Sequence, residues 1–276
     1  MKFLFTFFCI CSISTAQITI SGKITDKVTN EGIPFASIGI KGKSIGTLSN
    51  EHGVFTLLIK EVIDMDSLNI TAIGYRSQRF VMKEAKSFNN QPIQLPQSSV
   101  NLSEIVVKPS KTLKKTLGNR IYNKNTHCSF SGNDSNFVGV EAAIKAGNKK
   151  GRDVWFEEFN FCLLKNTIED TIVFRLNFYK EDSDGDPGEN IPKKPIIFKA
   201  FKQKGVLSLS LKEYAIHYND DFFISLECLS KAVNKNNLTF SGSLIGPAYF
   251  KPGTHTLWLR QPVMGLDFNV VVTYQK

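Results

Sequence analysis

Tryptophan and histidine are the scarcest useful side chains here, with two and four copies in 276 residues. The histidines (His52, His127, His217, His255) are dispersed and no HExxH is present, so no zinc-peptidase ligand set is offered. GxSxG is absent, which removes the elbow of an α/β-hydrolase nucleophile. Neither GxxxxGK[ST] nor GxGxxG is present, so a phosphate-cradling loop and a dinucleotide fingerprint are both unsupported. Cysteine is sparse too. Only Cys128, Cys162 and Cys228 lie beyond residue 11, an odd number, each in apolar surroundings. They read as buried free thiols, and a chain of this size needs no disulfide framework. No apolar run reaches the roughly 20 residues that a transmembrane helix requires.

What is present begins with an export signal. Lys2 precedes an uncharged apolar run, Phe3 to Ile13, and Ser14, Thr15 and Ala16 put small residues before Gln17. This predicts a signal peptide over 1–16. Cys9 and Cys11 sit inside the apolar run and do not follow a lipobox pattern. The expected address is the periplasm or the outer-membrane surface, with no transmembrane segment in the mature chain. The formal charge of +9 suggests anionic envelope partners, and export argues against nucleic acid. Because the lysines are scattered, a solvated basic surface is the plainer reading.

After the signal comes a series of short apolar alternations cut by Gly, Asn and Asp. Ile18, Ile20, Gly22 and Ile24 alternate with polar residues, as a half-buried strand does. In PFASIGI, Phe35, Ser37 and Gly39 face one way and Ala36, Ile38 and Ile40 the other. Asn50 to Gly53 has tight-turn chemistry. Strands follow around Val54 to Ile59, Ser67 to Ile73, Gln78 to Met82, Ile93 to Leu95 and Ile105 to Val107. About seven short strands without a helix predict an all-β sandwich over 17–107.

The ordered pieces Gly22-x-Ile24-x-Asp26, Gly32-Ile33-Pro34-Phe35-Ala36, Gly46-Thr47-x-Ser49, Gly53-x-Phe55, Ile73-Gly74-Tyr75 and Leu102 to Val107 resemble the carboxypeptidase-regulatory-like domain. The resemblance implies a transthyretin-like sandwich. It also implies a non-catalytic role, since such domains stand beside peptidase domains or in front of outer-membrane receptors. Residues 108–276 are too few for a receptor plug and large barrel at about 10 residues per membrane strand. At Ser49-Asn50-Glu51-His52-Gly53 the chain departs from the family's usual Thr-Asp before Gly.

Residues 108–126 change character, holding Lys108, Lys111, Lys114, Lys115, Arg120 and Lys124 with no acid. They are expected to form a basic linker, with a helical turn around Leu113 to Leu117. From 127 to 276 strand patterns return, such as VWFEEFNFCLL, TIVFRLNFY and FFISLECL. They predict a second, jelly-roll-like β-sandwich of eight or more strands. Its order of motifs resembles the uncharacterised C-terminal half of small exported proteins that carry the same first domain.

Two sets of residues could carry recognition. Asp182, Asp184 and Asp186 alternate near Gly185, with Glu189 beyond, as in a calcium loop. The spacing fails the EF-hand pattern, and Asp, Gly and Pro are also the ordinary residues of a strand-to-strand turn. Trp155 and Trp258 could stack sugars on a sheet face, while alternating aromatics ordinarily fill a sandwich core. The expected function is a non-enzymatic binding or scaffolding protein of the cell envelope, its partner an envelope protein or a glycan. The alternative is a carbohydrate- or cell-wall-binding protein stabilised by calcium.

Overall fold

The computed structural model describes residues 18–59, 64–85, 88, 91–98, 112–119, 122–130, 138–149, 151–230, 237–244 and 246–275. The expected signal peptide and the Leu102 to Val107 motif lie outside them. Among the described residues, no helix is long and apolar enough to cross a membrane. The chain is all-β and builds two β-sandwiches.

The first sandwich contains β1 (Ile18–Asp26), β2 (Ser37–Ile40), β3 (Gly46–Leu48), β4 (Val54–Ile59), β5 (Ser67–Thr71), β6 (Gln78–Val81) and β7 (Pro92–Leu95). One sheet runs β4-β1-β7 and the other β3-β2-β5-β6. Strand periodicity sends every second side chain inward. Thus Ile20, Ile24, Phe55, Leu57 and Ile59 meet Ile38, Ile40, Leu68 and Ile70 in one core. Burying each such side chain stabilises the fold by about 1.5–3 kcal/mol relative to leaving it in water.

The family motifs meet in space. Asp26 accepts hydrogen bonds from the Val28 and Thr29 amides at 2.6 and 3.1 Å, the Gln97 amide at 2.6 Å and the Tyr75 hydroxyl at 3.0 Å. It thereby ties the end of β1 to a residue 49 positions later. The Ser49 hydroxyl donates to the Ile33 carbonyl and accepts from the Ala36 amide, each at 2.8 Å, joining two further motif pieces. Gly53 has φ +80°, and a Cβ there would lie 2.4 Å from the Ile24 carbonyl oxygen. Only glycine fits that turn.

Among the described residues the second sandwich holds fifteen strands. They are β8 (Thr112–Gly118), β9 (His127–Cys128), β10 (Glu141–Ala146), β11 (Val154–Asn166), β12 (Ile172–Glu181), β13 (Pro187–Asn190), β14 (Ile196–Ala200) and β15 (Gly205–Ser210), followed by β16 (His217–Tyr218), β17 (Phe222–Cys228), β18 (Leu238–Ser243), β19 (Ala248–Lys251), β20 (Leu259–Gln261), β21 (Gly265–Leu266) and β22 (Asn269–Gln275). One sheet follows β13-β12-β17-β10-β19-β20, with β14 also on β12; the other follows β21-β18-β11-β22-β8 with β9, β15 and β16 attached. Phenylalanines dominate the core between them, among them Phe156, Phe159, Phe161, Phe174, Phe178, Phe222, Phe240 and Phe268.

Part of the expected basic linker belongs to this domain. Residues 112–118 form β8, paired antiparallel along β22 from Thr112↔Gln275 to Gly118↔Asn269, where a helical turn was expected. The ladder satisfies the backbone, and Leu117 turns into the core while Lys114 and Lys115 stay exposed.

Because its carboxyl is held at about 2 by the Gln97 donor and then the backbone amides, Asp26 adds stability that is complete above about pH 4 and lost as pH falls through about 2. Asp26→Asn should therefore lower the Tm at pH 7 and approach the wild-type value near pH 2. A thermal melt series across that range checks it; a constant gap between the two proteins would contradict it.

Candidate functional site

The outer face of the β13–β20 sheet ought to be wet, yet the first sandwich sits on it. Along β12, Phe174, Leu176 and Phe178 point into the core, so Arg175, Asn177 and Tyr179 point out. On β17, Phe222, Ile224 and Leu226 point inward, leaving Phe223, Ser225 and Glu227 on the outer side. The register pairs Arg175 with Glu227, Glu227 with Glu141 and Glu141 with Lys251. One row across four strands therefore reads cation, carboxylate, carboxylate, cation.

Three of the four are held by hydrogen bonds of 2.7–2.9 Å. Arg175 Nε donates to Glu227 Oε2 at 2.7 Å, with both side chains 8% exposed. Glu141 Oε1 accepts from Asn177, Tyr179 and Ser225, each at 2.7 Å. Lys251 Nζ lies 3.9 Å from Glu141 Oε2 and 5.5 Å from the Trp258 ring centre. Burial and the Glu227 charge raise the Glu141 carboxyl above its ordinary range. Burial pushes Glu227 the same way, but the Arg175 guanidinium outweighs it and holds Glu227 low. Burial and Glu141 push the Tyr179 hydroxyl well up, so it stays a neutral donor.

Two carboxyls pushed apart are the pattern acid–base sites use. Here the raised one is almost fully buried, and one of its oxygens is filled by three donors of its own chain. That geometry fixes the carboxyl rather than presenting it to a reacting atom.

The first sandwich forms the roof. Arg175 Nη1 donates to the Phe35 carbonyl at 2.9 Å, the His255 ring reaches the Ser37 carbonyl at 3.2 Å, and Thr254 Oγ1 donates to the Ile38 carbonyl at 3.3 Å. A Cβ on Gly46 would sit 1.7 Å from Thr254 Oγ1, so glycine is what lets the domains close. Between roof and floor lies a cavity of about 470 Å³, walled by Ser37, Thr71 and Tyr75 above and by Glu141, Arg175 and Lys251 below. Small-molecule sites typically measure about 300–1,000 Å³ and favour domain interfaces.

Of the residues anticipated for recognition, Glu189 lines this cavity and Trp155, Trp258, Asp182, Asp184 and Asp186 do not. Trp155 is half-buried and stacks on His217 with ring centres 4.9 Å apart, while His217 contacts Asp153 at 2.9 Å. Trp258 packs on the outer-face cluster Ala143, Phe223 and Tyr249 and meets Tyr179 edge-on at 5.9 Å. The structure does not gather Asp182, Asp184, Asp186 and Glu189 into a cation cage. Asp182 Oδ1 accepts from the Asp184 and Asp186 amides at 3.0 and 2.9 Å, which makes a turn between β12 and β13. Glu189 is taken by Lys180 at 2.7 Å. Among the described residues, no group of three or more His, Cys, Asp or Glu could hold a metal. Cys128, Cys162 and Cys228 are free and buried, and burial raises the Cys128 and Cys228 thiols to about 11 and about 12.

Fold and joint together define an all-β protein of two packed sandwiches with a charged cleft between them. Residues 20–107 match the model of the CarboxypepD_reg-like domain, and the first sandwich is such a domain. No curated protein matches the chain in sequence. Among solved structures, the T13 particle of infectious bursal disease virus aligns at 9% identity and TM-score 0.25, over 94% of this chain and 58% of that one. The VP2 subviral particle of the same virus aligns at 9% identity and TM-score 0.28, over 94% and 60%. The chain thus spans less than two thirds of either capsid protein, and scores this low carry no argument about it.

Removing one partner of the buried pair strands the other charge. Glu227→Met should cost about 3–5 kcal/mol, and the double variant Arg175→Met/Glu227→Met less than that. Urea unfolding of the wild type, Arg175→Met, Glu227→Met and the double variant measures it; a double variant as weak as the sum of the singles would contradict the pairing. Glu141 has the opposite sign to Asp26: its raised carboxyl costs stability as pH climbs above about 4.3. Glu141→Gln keeps the acceptor for three donors, so its Tm should fall less than wild type between mild acid and pH 8. Parallel profiles would show that Glu141 is not perturbed.

Proposed function

We propose that this is a non-enzymatic exported protein of the cell envelope that binds a small polar ligand in the cleft between its sandwiches. One observation carries the reading: a cavity of about 470 Å³ has walls from both domains and a floor of fixed, buried charged groups. Such a floor is preorganised, so a ligand does not have to order it on binding. The CarboxypepD_reg-like domain then acts as more than a spacer, since it supplies the roof. Export supports the envelope as the place of action, and the basic balance of the chain suits acidic surroundings there.

Thr71 lines the cavity from the roof, away from the charged row. A Thr71→Trp variant would fill the space without removing a floor group. Incubation with the small-molecule fraction of a cell-envelope extract should raise the Tm of the wild-type protein by ligand linkage and leave the variant unmoved. Equal responses, or none in either protein, would remove the cleft as the binding site.

A further inference from the structure

The groups around the cleft differ in how firmly they are engaged. Arg175, Glu227 and Glu141 are fixed by bonds of 2.7–2.9 Å. Two ammonium groups are not. Lys251 Nζ stands 3.9 Å from Glu141, and Lys193 Nζ stands 3.6 Å from Glu189. Both distances exceed the roughly 3.2 Å limit of a good N–H···O bond. Asn190 shows the converse: its amide donates to Asn177 Oδ1 at 3.1 Å, while its own Oδ1 is buried with no hydrogen-bond partner among the described residues. All three side chains line the same cavity.

We propose that the cleft takes a compact monoanion bearing a carboxylate beside hydroxyl groups, a sugar acid of the uronic-acid class. This rests on the reading of the cleft as a binding site. The carboxylate accepts from Lys251 and Lys193, and a neighbouring hydroxyl donates to Asn190 Oδ1. The roof suits the rest of the ring, because Ser37, Thr71, Ser77 and Ser98 line it with small hydroxyl-bearing side chains.

The two loosely engaged ammonium groups argue for an anionic ligand. The lining holds Glu141, Glu189 and Glu227 against Arg175, Lys193 and Lys251. The groups facing Glu141 are Arg175, Asn177 and Tyr179 of β12, Ser225 and Glu227 of β17, and Lys251 of β19, with Glu227 the nearest repulsion. Of these, Arg175, Glu227 and Glu141 are saturated by partners of their own chain, which leaves the Lys251 and Lys193 ammonium groups as the cations a carboxylate can meet. A neutral sugar offers those ammonium groups no charge-assisted bond.

Isothermal titration of the full exported chain with glucuronate, glucose and inorganic phosphate tests this. Glucuronate should bind, with glucose and phosphate at least about tenfold weaker, the order expected of a charge-assisted bond. Lys251→Met should weaken glucuronate about tenfold without changing the response to glucose. Lys193→Met, at an exposed position, should weaken it too while leaving the Tm unchanged. Equal binding of glucose and glucuronate, tightest binding of phosphate, or wild-type affinity in both lysine variants would overturn the assignment. If glucose binds and Thr71→Trp abolishes it, the acid class falls and the cleft reading stands. If no probe binds and the envelope extract gives no shift sensitive to Thr71→Trp, both fall.

Discussion

The structure turns on a row of four charged groups laid across a sheet face that the first sandwich covers at its edge. Arg175, Glu227, Glu141 and Lys251 occupy facing positions on four successive strands. Covering such a row would be prohibitive if any member were alone, since removing one partner of a buried pair typically costs about 3–5 kcal/mol. The solution is to give the most buried groups more than one partner. Arg175 meets both Glu227 and a carbonyl of the other domain, and Glu141 takes three neutral donors before it faces Lys251. Hydrophobic packing would have been as stabilising, but it would not have fixed one docking orientation as firmly as a guanidinium aimed at a single carbonyl.

That orientation depends on how little stands on the roof. Strand β2 buries Ile38 and Ile40 in its own core, as Ala36 just before it is buried, and presents Ser37 and Gly39 to the second domain. The loop 252–258 then threads between them, with Thr254 against Gly46 and His255 in the left-handed region at φ +61°. Burial lowers the His255 imidazole below its ordinary range, so it meets the Ser37 carbonyl as a neutral donor. Small residues on one side and a strained loop on the other leave the charged row covered at its edge and open over its centre, and the cavity is that opening.

Much of the fold was legible because period-2 alternation is local. The inward faces of β1, β4, β5 and β12 could be read from Ile20, Phe55, Leu68 and Phe174 alone, and the family motifs named the first sandwich. The β8 strand was missed because six basic residues without acid look like a solvated linker. Only its pairing with β22, over 140 residues later, makes it a strand. The site was hidden for the same reason. Glu141 within VGVEAAI and Glu227 within FFISLECL are acids in apolar strands, and Arg175 and Asn177 alternate with Phe174, Leu176 and Phe178. Those signals mark an outward polar face. Nothing local shows that the face is roofed, nor that register sets the four charges in one row.

The tryptophans and the acidic loop drew attention because each is conspicuous in a short window, and the structure gives both a local explanation. Trp258 covers Phe223 and Tyr249 on the same outer face and keeps Lys251 over its ring, so it packs beside the cleft without lining it. Asp182 bonds its own backbone, which is what an Asp-Gly-Pro turn does. The cleft residues are ordinary in sequence and unusual only in company. A carboxyl raised by its neighbour, a guanidinium shared between domains and an amide oxygen without a donor meet around one cavity. A cavity built this way requires both sandwiches at once. Neither domain alone retains both the floor and the roof, so the joint that holds them together is what makes the cavity.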